Sequence, residues 1–455
     1  MIASPAYGDE IALSPEKQAF FDTYEQLVET NTTHSEGDCT LAAQRMADRL
    51  TAAGVPEADL HLFSVADHPK EGGLVAVWQG RDRKAGAMLL LAHIDVVEAD
   101  PNDWERDPFT LIGEDGFYYA RGAVDDKAMA AIWVDTIARF ARAGYHPKRT
   151  VKVALTCGEE TNGAFNGAEW LAANRRDLID AAFALNEGGG GTYKEDGAYG
   201  PVNLQVGEKI FANYELTVTN EGGHSAAPRP DNAIYELADA LKKVEAHRFP
   251  VEFNDVTRRS FLAQGRAIGG DLGKAMIALA NDPSDMAADA VVSQEPGLRS
   301  NSRTTCVATT VEAGHARNAL PQKAVANVNC RIFPGHTVTE IGALIQGLLG
   351  NGVAVTTLEP VRPAPPAPPL NPEIIQPIKE ALERHFPGAE LGVGMSNGYT
   401  DSTFLTAVGI PAYGVPGLFG EPDGNGAHGL NERIRARSLW EGRDFLYDLV
   451  KRLAN

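Results

Sequence analysis

The sequence predicts an α/β protein: a mostly parallel, helix-covered sheet interrupted by an inserted ferredoxin-like βαββαβ domain. Three observations predict it. Apolar strand-like runs alternate with a long helical stretch in the first part. The rhythm changes near Gly207 to polar–apolar alternation. The proline-rich run PVRPAPPAPPLNP, a stiff connector, then returns the chain to a helix, strand, loop, helix pattern. At 455 residues the chain is long enough for two domains. The expected division is residues 1–206 with 360–455 as one discontinuous domain, and 207–359 as the insert.

Helical periodicity is read from about Pro15 to Thr30, about Thr40 to Ala53, and Asp126 to Ala143. The runs GLVAVWQ, AMLLLAHIDVV, TVKVALTCGEE and AAFALNEGG read as buried strands. In the insert, FANYELTVT is a half-buried strand, and Asp231 to Ala246 is a helix with Asp231 as N-cap. TTCVATTVEAG, AVANVNCRIF, a helix from Thr337 to Leu349, and VAVTTLE complete the βαββαβ order. The stretch from about Val256 to Ser300 is an additional segment that the pattern does not assign.

Apolar residues make up 44% and charged residues 22%, as in a globular protein. A net charge of -20 repels phosphate backbones and argues against a nucleic-acid partner. No apolar run is long enough to span a bilayer, so no membrane partner is expected. The opening MIASPAYGDEIALSPEKQ lacks a basic-then-apolar leader. The expectation is a soluble protein, cytoplasmic by default, periplasmic or secreted if a leader has been removed. The four cysteines form no CxxC pair, which argues against thiolate zinc. Cys306 and Cys330 lie in neighbouring strand-like segments, and a disulfide between them stays open.

The chemistry collects at strand ends. His93 and Asp95, two apart, share one face at the carboxyl end of MLLLAHIDVV. Asp125, in RGAVDDK, stands before a helix, where an N-cap competes with a functional role. Glu159 and Glu160 end TVKVALTCGEET; an exposed acidic turn is one reading, and the other is a pair at a strand mouth whose burial a cation would compensate. Glu187 ends a third strand. His224 and His428 lie in glycine-rich loops, where a lone histidine ordinarily meets only solvent. Each residue is weak evidence alone. Three consecutive strand ends bearing histidine and carboxylates form a specific pattern, suited to zinc, cobalt or manganese.

The series AHIDVV, RGAVDDK, GEE, NEGG, GGHSAAP, NALP and AHGLNE resembles the M20 family of metallopeptidases and amidohydrolases. That family includes glutamate carboxypeptidases, aminoacylase-1 and succinyl-diaminopimelate desuccinylase. The resemblance implies two divalent metal ions, zinc first, cobalt or manganese as alternatives. His93 and Glu187 would bind one, Glu160 and His428 the other, and Asp125 would bridge them, followed by a cis peptide bond. Asp95 would orient His93, and Glu159 would be the general base. His224 would stabilise the oxyanion, and Asn318, Arg331, Arg362 and Gly398 would hold substrate. The expected reaction is cleavage of the amide of a peptide or N-acyl amino acid beside a free carboxylate. A dipeptidase and a non-catalytic binding protein are the alternatives. The resemblance allows a homodimer through the inserted lid. Ala128 departs from the glycine many members carry after the lysine, and NEGG leans toward carboxypeptidase-like chemistry.

Overall fold

The structure, a computed structural model, describes residues 13–161 and 165–455. Residues 1–12, most of the stretch read for a leader, lie outside it. Two compact units are present. One comprises the described residues up to Gln205, with Pro369–Gly392 and Val408–Asn455; the other comprises Val206–Pro368 and Val393–Ala407. Residues 360–368 and 393–407, expected with the first unit, thus group with the second.

The first unit is built on a sheet whose order is Leu60–Val65, His68–Trp78, Val151–Thr156, Met88–His93, Phe183–Asn186, Ala412–Gly414, Tyr199–Glu208, Gly190–Tyr193 and Phe419–Gly420. Its centre is parallel: Met88–His93 pairs in parallel with Val151–Thr156 on one side and Phe183–Asn186 on the other. Toward Leu60–Val65 the pairing turns antiparallel. The central strands Met88–His93 and Val151–Thr156 are buried at every residue, as strands of a sheet covered on both faces are. This is the mostly parallel α/β architecture expected.

Local chemistry sets the helix ends. Ser14 accepts from Lys17 N, and Pro15 opens the helix Pro15–Val28. Asp38 caps Cys39–Ala52 through Leu41 N. The helix Lys127–Ala143 is buried around nearly its whole circumference and stops at Gly144 in the left-handed conformation. A disulfide joins Cys39, at the start of the second helix, to Cys157, just past a central strand. The sequence reading did not anticipate it, since 118 residues separate the two.

In the second unit, four antiparallel strands run in the order Thr305–Ala313, Lys323–Ile332, Ile210–Thr219 and Ala354–Thr357. Alternate residues such as Ala324, Ala326, Val328 and Cys330 pack with Leu237 of the helix Ala233–Ala246 and Ile341 of Val338–Leu349. Cys306 and Cys330 are directly opposite in register and form a disulfide. Asn232, not Asp231, caps the first of these helices: its side chain accepts from Ile234 N. Asp231 is instead engaged by Arg229 at 3.0 Å. The unassigned stretch folds into Asp255–Ile268, Gly270–Asn281, Met286–Val292 and Pro296–Asn301. These helices bury a core of their own around Phe261, Met276, Leu279 and Val292.

One buried acid in this unit makes its stability pH-dependent. Glu208 accepts from the Thr400 hydroxyl at 2.8 Å, and burial pushes its carboxyl up to about 8. The unfolded chain releases that proton near the ordinary value of 4.5. The group's contribution is therefore fully present below about 4.5 and lost as pH rises to about 8. Thermal melts of Glu208→Gln should gain on the parent protein across that window; parallel curves would contradict this.

Candidate metal centre

The sheet order makes neighbours of residues distant in sequence. Met88–His93 lies between the strands that end before Glu159 and Glu187, so three carboxyl ends open at one edge. His93 ends the middle strand and is 2% exposed. Its Nδ1 lies 3.1 Å from the Asp95 backbone carbonyl and 3.6 Å from Asp95 Oδ1. The Asp95 carboxylate also accepts from Glu160 N at 3.0 Å, tying two strand ends together.

Asp125 occupies the centre. Its Oδ1 is 3.2 Å from His93 Nε2, and its Oδ2 is 3.1 Å from His428 Nε2. Glu187 Oε1 lies 3.8 Å from the same His93 nitrogen, and Glu160 Oε1 lies 3.0 Å from His428 Nε2. His93, Asp125 and Glu160 form one group able to hold a metal ion, with ligand atoms all within 4.8 Å; His93, Glu159 and Glu187 form another. The peptide bond Asp125–Asp126 is cis, as expected.

The titration behaviour carries one message. Burial disfavours the His93 imidazolium, yet hydrogen bonds to Asp125 and Asp95 hold it well above its usual range. The hydrogen bond to Asp125 lifts His428 to about 9. Burial pushes Glu160 up to about 7. Burial opposes the charge on Asp125, but His428 and His93 hold its carboxyl well below the carboxylate range. The carboxylates thus demand positive charge among them. Oxygen and imidazole donors without sulfur fit a borderline or hard divalent cation.

Three local devices shape this edge. Gly158 has φ +94°, and a Cβ there would meet the Phe165 carbonyl oxygen at 1.8 Å, so the turn into Glu159 needs glycine. The Cys39–Cys157 disulfide anchors the residue before that turn. Glu432, 0% exposed, accepts from Gly122 N, Val124 N and Asp125 N and pairs with Arg121. Reading for chemistry passed over Glu432 and the first disulfide. Only the acid in AHGLNE could have signalled the former.

The other expected residues lie in the second unit. His224 pairs across a short ladder with Ala319, and Ser225 N donates to Asn318 O, so His224 and Asn318 adjoin. His224 Nδ1 accepts from Ala226 N at 3.0 Å, which leaves Nε2 as the protonated nitrogen of the neutral ring. Arg331 and Arg362 both lie over the Phe211 ring, at 5.4 and 5.0 Å. Arg362 also stacks on Tyr399 at 4.0 Å, beside Gly398, whose N donates to Ser396 Oγ.

Groups able to hold a metal ion stand at the carboxyl edge of a parallel sheet, in a chain that also carries a four-stranded insert, as a metal-dependent hydrolase would require. The model of peptidase family M20/M25/M40 matches residues 89–452, and the chain belongs to this family. It is therefore an enzyme of the peptidase and amidohydrolase type. The human N-fatty-acyl-amino acid synthase/hydrolase PM20D1 is 28% identical over 387 residues, covering 82% of this chain and 75% of the relative. The M20 metallo-carboxypeptidase Sso-CP2 from Sulfolobus solfataricus has the same fold: TM-score 0.71, 19% identity, 97% of this chain and 100% of that one. YXEP from Bacillus subtilis, described as a dinuclear metal-binding M20 peptidase, aligns with TM-score 0.58 and 14% identity over 96% and 98% of the two chains. Among the described residues no helix is long and apolar enough to cross a membrane.

Removing the disulfide that anchors the Glu159 turn should weaken the first unit. Cys39→Ser should lower unfolding free energy by about 2–4 kcal/mol in denaturant titrations. Superimposable curves for parent and variant would show that the bridge contributes nothing.

Proposed function

We propose that this enzyme hydrolyses the amide bond of an N-acyl amino acid or peptide next to a free carboxylate, using two divalent metal ions. The observation that carries this reading is Asp125, whose two oxygens each face a different histidine. His93 and Glu187 would hold one ion, His428 and Glu160 the other, with Asp125 between them. Zinc is the ion proposed, on the nitrogen and oxygen donor set. When bound, such ions supply Lewis acidity to the scissile carbonyl and lower the pKa of water.

The protein's own groups do the rest. Glu159 stands with His93 and Glu187 at the strand ends. As general base it takes a proton from the attacking water, then returns it to the leaving amine. Asp95 holds the Glu160 backbone and flanks His93, fixing both ligands. His224, its Nε2–H free to donate, would meet the developing oxyanion. Arg331 and Arg362, two guanidinium groups on one aromatic ring, suit the substrate carboxylate, with Asn318 and Gly398 adding polar contacts. The dimer through the inserted unit remains part of this proposal.

The relative that hydrolyses N-fatty-acyl amino acids supports an acylated amine as substrate. Hydrolysis of N-acyl amino acids of rising chain length, set against free dipeptides, tests this choice. Acylated substrates should be cleaved and their carboxyl-amidated forms should not. Cleavage restricted to free dipeptides would overturn the acylase reading in favour of a dipeptidase. Glu159→Gln should retain fold and metal content while turnover falls about 10²–10⁴-fold. Full turnover in that variant would remove Glu159 from the mechanism.

A further inference from the structure

Every hydrogen bond of the Glu432 carboxylate ends on the segment that carries Asp125. Oε2 accepts from Arg121 Nη1 at 2.8 Å and Gly122 N at 2.9 Å. Oε1 accepts from Val124 N at 2.9 Å and Asp125 N at 3.1 Å. Arg121 returns the link by donating Nη2 to the Gly429 carbonyl at 2.7 Å. Glu432 and Arg121 are 0% and 3% exposed. The two segments are rooted in a common ladder, where Arg433–Arg435 pairs antiparallel with Phe117–Tyr119.

His428 belongs to the same short loop as Glu432. Its backbone is held at φ +59°, and Asn431 at φ +54°, a left-handed region that side chains disfavour. A loop in that conformation needs an external anchor, and the bonds of Glu432 and Arg121 supply one. One carboxylate therefore joins the peptide entering Asp125 to the loop presenting His428, across 307 residues of sequence.

We infer that Glu432 is a positioning residue that sets His428 against Asp125 and thereby controls loading of the second metal ion. It touches neither ion nor substrate. This inference rests on the two-metal reading above. A glutamine at this position would turn an NH₂ toward backbone N–H donors that now find an oxygen, and would remove the charge that Arg121 faces. Outer partners of metal ligands commonly govern affinity by about 10–100-fold.

The test is calorimetric titration of zinc into chelator-stripped parent protein, Glu432→Gln and His428→Ala. The parent should bind two ions. Glu432→Gln should bind one ion with parental affinity and the other about 10–100-fold more weakly, as His428→Ala does. Its kcat should recover toward the parent's value when zinc is raised, and a variant merely less stable would not weaken one ion while keeping the other at parental affinity. Circular dichroism checks its fold. If Glu432→Gln does not fold, Glu432→Asp, which keeps the charge but shortens the reach, carries the same test. Two parental affinities in the folded variant, or equal weakening of both, would overturn the inference and leave the two-metal reading intact. A parent protein that binds fewer than two ions would overturn both.

Discussion

Four carboxylates, from Asp125, Glu159, Glu160 and Glu187, face two imidazoles at the open edge of the parallel sheet, and the rest of the first unit follows from holding them there. Like charges brought so close repel strongly unless positive charge lies among them. The raised titration of His93, His428 and Glu160 expresses that demand. A divalent cation answers it better than protons do, because one ion can satisfy several oxygens at once. Asp125 is the pivot, since each of its oxygens already meets a different histidine.

Such a cluster requires rigid support, and the support is of two kinds. The sheet supplies the first: parallel register aligns His93 with Thr156, so the turns after the strands emerge side by side. Cross-links between loops supply the second. Asp95 binds the Glu160 backbone, the Cys39–Cys157 bridge anchors the turn before Glu159, and Glu432 gathers the Asp125 segment onto the His428 loop. The candidate ligands come from five separate stretches; Asp95 and Glu432 each tie two of them together, and the disulfide ties a third point to the helix that Cys39 opens.

Much of this was legible in the sequence because the strands are short, continuous apolar runs with chemistry at their ends. MLLLAH ends in a histidine and TVKVALT runs into GEE, so period and placement agreed. The insert was readable for the opposite reason: its strands alternate, with Ala324, Ala326, Val328 and Cys330 inward. The helices between Asp255 and Asn301 lie outside the βαββαβ order that the alternating strands announce, although Asp255–Ile268 carries an apolar face and buries it in a core of its own. The Asp231 cap was misassigned because two adjacent cap-competent residues stand there, and the arginine beside them decides between them.

The sequence by itself determined the fold class, the two-part organisation, the M20 motifs and the candidate ligands, because these depend on periodicity and on residue type at fixed short spacing. Only the tertiary structure decided which ligands meet, which cysteines pair, and that Glu432 fastens the Asp125 segment. Those outcomes depend on distances between residues from 24 to 307 positions apart, which sheet register and loop conformation set and local pattern does not encode.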